Sequence, residues 1–225
     1  MEIVLYLGAN IKMIERVKES DIVLLKEGID SFGLKLTDEQ IKMSLDYINI
    51  LLKWNKFYSL TSINNVSGII VNHLLDAFVI TPYLGIYDSI LDIGSGIGIP
   101  GIILAIYFTK KQIVLVDINK KKTAFLQQVV IELKLNNVKI INNDIEQHLL
   151  KEKYGCKTMA ISRAFTNADK FIKFFIDTDI TDLMLMKSIK VEEELKNIDK
   201  FKYDIIQLNN FKSDKIRYLL KIMLN

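Results

Sequence analysis

The sequence predicts an α/β fold: a mostly helical first third, then a mostly parallel, doubly wound sheet flanked by helices. Three observations predict it. After residue 83, short apolar runs alternate with helix-length stretches. The run Leu91-Asp92-Ile93-Gly94-Ser95-Gly96-Ile97-Gly98-Ile99-Pro100-Gly101 follows the first of these strands and opens a helix. Before residue 83, apolar residues recur at helical spacing instead.

A chain of 225 residues, half of them hydrophobic and a quarter charged, suits one globular domain with a small N-terminal extension. Disordered and fibrous classes are excluded. The single cysteine, Cys156, allows no disulfide framework and no cysteine zinc cluster, and two histidines, His73 and His148, make a metal centre an unexpected feature. No apolar run reads as a membrane span, and the start Met1-Glu2-Ile3 carries no signal-peptide pattern, so the expectation is a cytoplasmic protein without membrane contact. The net charge is +3 and uneven. Residues 1–85 hold 8 Lys+Arg against 10 Asp+Glu, and residues 86–225 hold 22 against 17. The basic stretch Lys110, Lys111, Lys120, Lys121, Lys122 reads either as a solvated face or as an anion-facing patch.

In chain order, residues 1–20 fit a strand, a helix or a loose extension equally. Thr37 and Gln40 form a capping box before a helix with Ile41, Leu45, Ile48, Leu51 and Leu52 on one face. Ile69, Ile70, Leu74 and Phe78 suggest another helix ending before Pro82. Strands follow at 89–93, 112–117, 138–141, 158–162 and 182–186. Helices are expected at 100–108, 120–135 and 169–176. The segments 203–208 and 217–223 would close the sheet as a hairpin.

The glycine loop carries the strongest chemical signal. Glycines there permit a tight turn and close backbone approach to a ligand, and Pro100 suits a first helical turn. Gly96-x-Gly98-x-x-Gly101 also fits a dinucleotide fingerprint. Asp92 favours S-adenosylmethionine, because a carboxylate at the strand end can lie near that cofactor's cationic methionine end and is unfavourable beside phosphates. Asp117, ending the second strand, can accept both ribose hydroxyls in either cofactor. Asn143-Asp144-Ile145-Glu146, past the third strand, would border an adenine, with Ile145 on the ring and Glu146 at its amide edge. The chain has no Pro-Pro turn of the kind used in adenine-N6 methylation, and Cys156 stands at the wrong end of its strand for cytosine-C5 chemistry. Arg163 ends the fourth strand, where it can bind a carboxylate or phosphate or form a surface ion pair.

Leu52-Lys53-Trp54-Asn55-Lys56, Leu60-Thr61-Ser62, His73-Leu74-Leu75-Asp76, the glycine loop and Ser162-Arg163-Ala164-Phe165 occur in the order seen in the RsmG (GidB) family, and over residues 25–223 the chain resembles these bacterial 16S rRNA guanine-N7 methyltransferases. The resemblance implies a class I Rossmann-like methyltransferase domain with a seven-stranded sheet at 83–225, a helical cap at 25–82 and an extension at 1–24. It implies methyl transfer from S-adenosylmethionine to N7 of a guanine in the 530 loop, on rRNA or the small ribosomal subunit; nothing in the sequence demands an oligomer, so a monomer is the expectation. It assigns Gly94, Ile99, Ile145, Glu146 and Arg163 to the cofactor, beside Asp92, Gly96, Gly98 and Asp117. Candidate RNA contacts are Asn55, Lys56, Lys121, Lys122, Lys187 and Arg217. N7 needs no general base, so no catalytic dyad is required. Asp76 is a candidate for stabilising the cationic methylated ring. His73 and Asp76, one helical turn apart, are equally placed to bond each other and pin the cap.

Some positions depart from the family pattern. Asn-Leu-Thr reads Ser59-Leu60-Thr61, Arg-His reads Asn72-His73, Ser reads Ala77, and Gly-Lys-Arg reads Lys120-Lys121-Lys122. Alternatives at this stage are a class I methyltransferase acting on another RNA, a protein or a small molecule, a nicotinamide-dependent oxidoreductase, and a non-catalytic RNA-binding module.

Overall fold

The computed structural model describes residues 17–149, 152–155, 157–187, 195, 198–209, 211–213 and 216–224. Cys156 and residues 1–16 of the expected extension lie outside them.

Seven strands form one sheet: β1 (Ser89–Ile93), β2 (Gln112–Val116), β3 (Val138–Ile141), β4 (Thr158–Arg163), β5 (Asp182–Lys187), β6 (Lys202–Gln207) and β7 (Tyr218–Met223). Their order is β3-β2-β1-β4-β5-β7-β6. The first five are parallel, and β7 runs antiparallel between β5 and β6. Strand order reverses between β1 and β4, so a crevice opens at the carboxyl ends of those strands, the place where open α/β sheets bind ligands. Each strand falls within one residue of its expected position, because a near-continuous apolar run bounded by turn residues is how a doubly covered strand reads.

The cap consists of α1 (Glu19–Ser31), α2 (Asp38–Tyr58) and a broken helix. The broken helix joins α3 (Val66–Ile69) to α4 (Leu75–Phe78) through a π turn at Ile70–Leu74. The capping box at α2 forms as expected: Gln40 N donates to Thr37 Oγ1 at 3.2 Å, and Thr37 N donates to Gln40 Oε1 at 2.9 Å. Gln40 Nε2 also donates to the carbonyls of Ile106 and Tyr107 at the end of α5 (Gly101–Tyr107). One residue therefore satisfies orphan groups on two helix ends. α1 begins at Glu19 and runs through residues 24 and 25, so the boundary expected between extension and cap falls inside a helix.

Val66–Leu84 is, by length and composition, apolar enough to cross a membrane, with a mean hydropathy of 1.3, against the expectation that no run reaches that length. Here the segment is more than half buried inside the protein and carries His73 and Asp76.

Two apolar clusters cover the sheet. One joins the cap to α5 and to α6 (Lys120–Glu132), through Tyr47, Leu51, Leu74, Phe78, Ile103 and Phe125. Trp54 and Tyr47 meet the Phe125 ring edge-on at 5.7 and 6.3 Å. The other lies under α8 (Ala168–Lys173) around Phe171 and Phe175. The cap is thus part of one core, and it reaches the same sheet edge as the glycine loop.

Candidate functional site

The glycine loop is held from below by backbone bonds. Gly94 N and Ser95 N both donate to the Val116 carbonyl at 2.9 and 3.1 Å, tying the end of β1 to the end of β2. Gly94 (φ +67°) and Gly96 (φ +59°) take left-handed conformations that a side chain would strain. A Cβ on Gly94 would overlap the Phe165 ring. A Cβ on Gly96 would meet nothing closer than 3.7 Å and would stand 3.9 Å from Lys122 Nζ, on a cavity wall. From the cap, the buried Tyr47 hydroxyl donates to the Ile97 carbonyl at 2.8 Å. Burial pushes the Tyr47 pKa up, so the hydroxyl keeps its proton for this bond.

The loop lines a cavity of about 690 Å³. Gly94, Gly96, Ile99, Asp117, Ile145 and Arg163, all expected at the cofactor, line it. Asp117 Oδ2 accepts from Gly96 N and its Oδ1 from Asn119 N, both at 2.8 Å, which aims the carboxylate at the mouth of β2. Each oxygen keeps lone-pair capacity for a hydroxyl.

Three expected cofactor residues stand elsewhere. Gly98 lies below the loop against Ile102 and Leu126. Glu146 is exposed at the start of α7 (Ile145–Leu149), where its N–H donates to Asp144 Oδ1, and Asp144 is the carboxylate on the cavity wall. Asp92 is buried beneath the loop, its Oδ2 accepting from Gly101 N at 3.0 Å.

Asp92 Oδ1 is buried without a hydrogen-bond partner. Burial raises the carboxyl to about 7, partly offset by the Gly101 N–H and by the charge of Arg163, while Asp117 adds to the rise. Asp92 stands beneath the cavity rather than on its wall; at the wall itself the Asp117 carboxylate suits a ribose diol, and Ile118 and Ile145 offer apolar surface to a purine. These residues fit S-adenosylmethionine.

On the other side of β1, Ser162 Oγ donates to the Ile93 carbonyl at 2.9 Å. The chain then turns through Ala164 in a left-handed conformation (φ +56°) and presents Phe165, which is 45% exposed. Arg163 points to the cap. Its Nη1 donates to Asp76 Oδ2 at 2.7 Å and to the Asn72 carbonyl at 3.1 Å, and its Nη2 lies 3.0 Å from His73 Nδ1. His73 Nδ1 is within hydrogen-bond distance of both the Arg163 guanidinium, which only donates, and the Asn72 carbonyl at 2.9 Å, which only accepts, and Nε2 lies 3.1 Å from Thr61 Oγ1. Arg217 Nε donates to the second Asp76 oxygen at 3.2 Å.

These contacts correct three expectations. His73 and Asp76 do not bond each other, because Arg163 stands between them and bonds both. Asp76 is not placed to stabilise a methylated ring, because both of its oxygens are engaged by arginines. Arg163 is a largely buried partner, with a side chain 19% exposed against 6% for Asp76.

Among the RNA candidates, Asn55 uses both ends of its amide on Thr61 and Asn64, holding the 60–62 loop over the cavity. Lys56 and Lys121 are exposed. Lys122 lines the main cavity. Lys187 Nζ donates to the Thr166 carbonyl at 2.7 Å. Lys187 and Arg217 line a second cavity of about 360 Å³. Asn72 Nδ2 donates back to the Gly68 carbonyl at 3.0 Å.

Sequence reasoning missed Tyr47, Ile118, Asp144 and the role of Asn55. Ile118 had a legible signal, an isoleucine directly after the acid that ends β2 and 69% exposed. Tyr47 had none beyond its place in an apolar stripe.

Comparison with known proteins places this geometry. Residues 40–217 match the family model described as rRNA small subunit methyltransferase G. The Ribosomal RNA small subunit methyltransferase G of Marinomonas sp. is 36% identical over 78% of this chain and 84% of its own length. The protein of the same name from Hydrogenovibrio crunogenus is 33% identical over 93% and 97%. Among solved structures, magnesium protoporphyrin IX methyltransferase from Synechocystis PCC 6803 with bound S-adenosylmethionine superposes with a TM-score of 0.57 at 19% identity, covering 84% of this chain and 98% of that one. A methyltransferase from Aquifex aeolicus gives 0.53 at 13%, covering 67% and 90%. At these identities the structures report the fold alone.

Proposed function

Because the chain belongs to the rRNA small subunit methyltransferase G family and is an S-adenosylmethionine-dependent rRNA methyltransferase, we propose that it methylates N7 of a single guanine in the 530 loop of 16S rRNA. In this reading it acts as a monomer in the cytoplasm, on free rRNA or the small subunit. The observation that carries the reading is the 690 Å³ cavity bounded on one side by the glycine loop and Asp117 and on the other by Arg163 and Phe165. S-adenosylmethionine supplies an electrophilic methyl on a sulfonium. N7 has an in-plane lone pair and loses no proton before accepting the methyl, so the site needs positioning groups rather than a base. The described residues at the cavity match that need. Asp117 holds its carboxylate at the mouth of β2, Asn55 fixes the 60–62 loop, and His73 is locked between Thr61 and Arg163. A base in duplex or stacked RNA has to be extruded to reach such a cavity.

The test is transfer of labelled methyl from S-adenosylmethionine to small subunits and to free 16S rRNA lacking the mark, followed by nucleoside analysis. Label in 7-methylguanosine supports the reading. Label in another nucleoside, or in protein, refutes it.

A further inference from the structure

The end of α2 and the start of α6 stand together at the carboxyl edge of the sheet. Gln40 ties the start of α2 to the end of α5, at the opposite edge, so α2 runs toward the 60–62 loop on the wall of the larger cavity. α6 follows β2 and runs the other way. Trp54 meets Phe125 at 5.7 Å where the two helices touch, and the Tyr58 ring lies 5.1 Å from Trp54, one turn further along α2. We propose that this rim carries the RNA strand flanking the target nucleotide, with Phe57 as the ring on which an unpaired base stacks and Lys53, Lys56, Lys120 and Lys121 meeting the phosphates. The inference deepens the functional reading given above and rests on it for the class of partner.

Three features carry it. The first is the exposure of Phe57. Its side chain is 78% exposed, the most of any large apolar residue among the described residues, so the core gives it no role. It lies between the two family-like motifs and in neither, three residues before Leu60 on the cavity wall. Lys53 and Lys56 stand on the same helical face. The second is charge. The sequence has no acid between Asp46 and Asp76, and none between Asp117 and Glu132. None of the four lysines forms an ion pair among the described residues. Lys120 and Lys121 stand in the first turn of α6, the positive end of the helix dipole, with no acid beside them in that turn. A polyanion relieves that arrangement, and an apolar protein surface does not. The third is the chemistry of extrusion. Drawing one base out of its stack leaves its neighbours without a stacking partner, and an aromatic ring beside a basic track replaces it whatever the base.

The experiment uses the full chain and whichever substrate wild type labels, small subunits or free 16S rRNA lacking the mark. KM and kcat are read for wild type, Phe57→Ala, Phe57→Trp and Phe57→Leu. Phe57→Ala should raise KM for RNA about tenfold, the value of one base–aromatic stack, and leave kcat within about twofold. Phe57→Trp should restore KM and Phe57→Leu should not. S-adenosylmethionine affinity and Tm should stay at the wild-type values, since Phe57 is outside both the cavity wall and the core. Lys53→Gln and Lys121→Gln should each lower the slope of log affinity for a target-loop RNA against log salt by about 0.7. An unchanged KM in Phe57→Ala overturns the assignment. So does a Phe57→Leu variant equal to wild type, which marks an apolar contact with ribosomal protein, or a salt slope that neither lysine variant moves. Nucleoside analysis of the same samples keeps the two readings apart: label in a nucleoside other than 7-methylguanosine refutes the guanine-N7 reading while KM still judges the rim. A wild type that labels no RNA overturns both.

Discussion

The glycine loop and the Arg163 turn stand side by side at the carboxyl edge of one sheet and keep their shapes by opposite means. The loop is held through its own N–H groups by the ends of β1 and β2: Gly94 and Ser95 on the Val116 carbonyl, Gly96 on the Asp117 carboxylate and Gly101 on the Asp92 carboxylate. The turn is held by side chains far away in sequence: Asp76 and His73 of the cap, 87 and 90 residues from Arg163, with Asp76 in turn held by Arg217 beyond β6. A site built on backbone donors tolerates side-chain change except where a Cβ intrudes or where one of the two accepting carboxylates is lost. A side-chain-built site fails when one charge is lost, because the partners are left uncompensated in a poorly hydrated place.

The largest effect is therefore expected at Asp76. Asp76→Ala should cost about 3 kcal/mol, since it strands two arginines. For a chain of this size that is a fall in Tm of about 6–12 °C, read by thermal unfolding. Adding Arg217→Ala should cost less than the sum of the single losses. Strict additivity would show that the clamp is not a unit.

In the loop the expected costs are smaller and depend on which way the Cβ points. Gly101→Ala drives a methyl into Leu115 and to 2.6 Å from Asp92 Oδ2, for a loss of about 2 kcal/mol in urea unfolding. Gly96→Ala meets open space and pays only left-handed strain, about 1 kcal/mol, but narrows the cavity. Calorimetry should find cofactor affinity hurt more by Gly96→Ala, and unfolding should find stability hurt more by Gly101→Ala.

Asp92 gives the comparison a pH axis. The folded chain holds its proton to about pH 7, against an ordinary value of 3.8 in the unfolded chain. Between those values the folded state binds more protons, so this group's contribution to stability falls as pH rises and is at its best below about 4. Asp92→Asn removes that slope. The unfolding free energy of the variant minus that of wild type should become more positive from pH 5 to pH 8. A difference that falls with pH would mean the carboxylate is stabilised as an anion.

The smallest effect is at Ser59, the left-handed C-cap of α2 (φ 48°), where asparagine is better suited than serine. Ser59→Asn should add about 0.5 kcal/mol to stability in urea unfolding.

The same contrast explains what was legible in the sequence. Strand positions, the capping box at Thr37 and the closing hairpin are encoded in local patterns close to where they act, and all could be read. The boundary of α1, the π turn at Ile70–Leu74, and Arg163 standing between His73 and Asp76 depend on contacts across the chain. Spacing of one helical turn suggested a His73–Asp76 bond, but spacing on one helix says nothing of a third residue arriving from the sheet. Asn55 lay in a recognisable motif, yet its engagement with Thr61 and Asn64 shows only in three dimensions. Asp144 and Glu146 are not distinguished by the sequence, because an acidic turn does not reveal which carboxylate faces the cavity once the chain starts α7.

The most direct test of the account is chemical mapping of the methylated product. Small-subunit RNA treated with the protein and S-adenosylmethionine is reduced with borohydride and cleaved with aniline, which breaks the strand at 7-methylguanosine. The account predicts one new break, at a guanine in the 530 loop. Methyl label incorporated without a break, or breaks at guanines elsewhere, would contradict it.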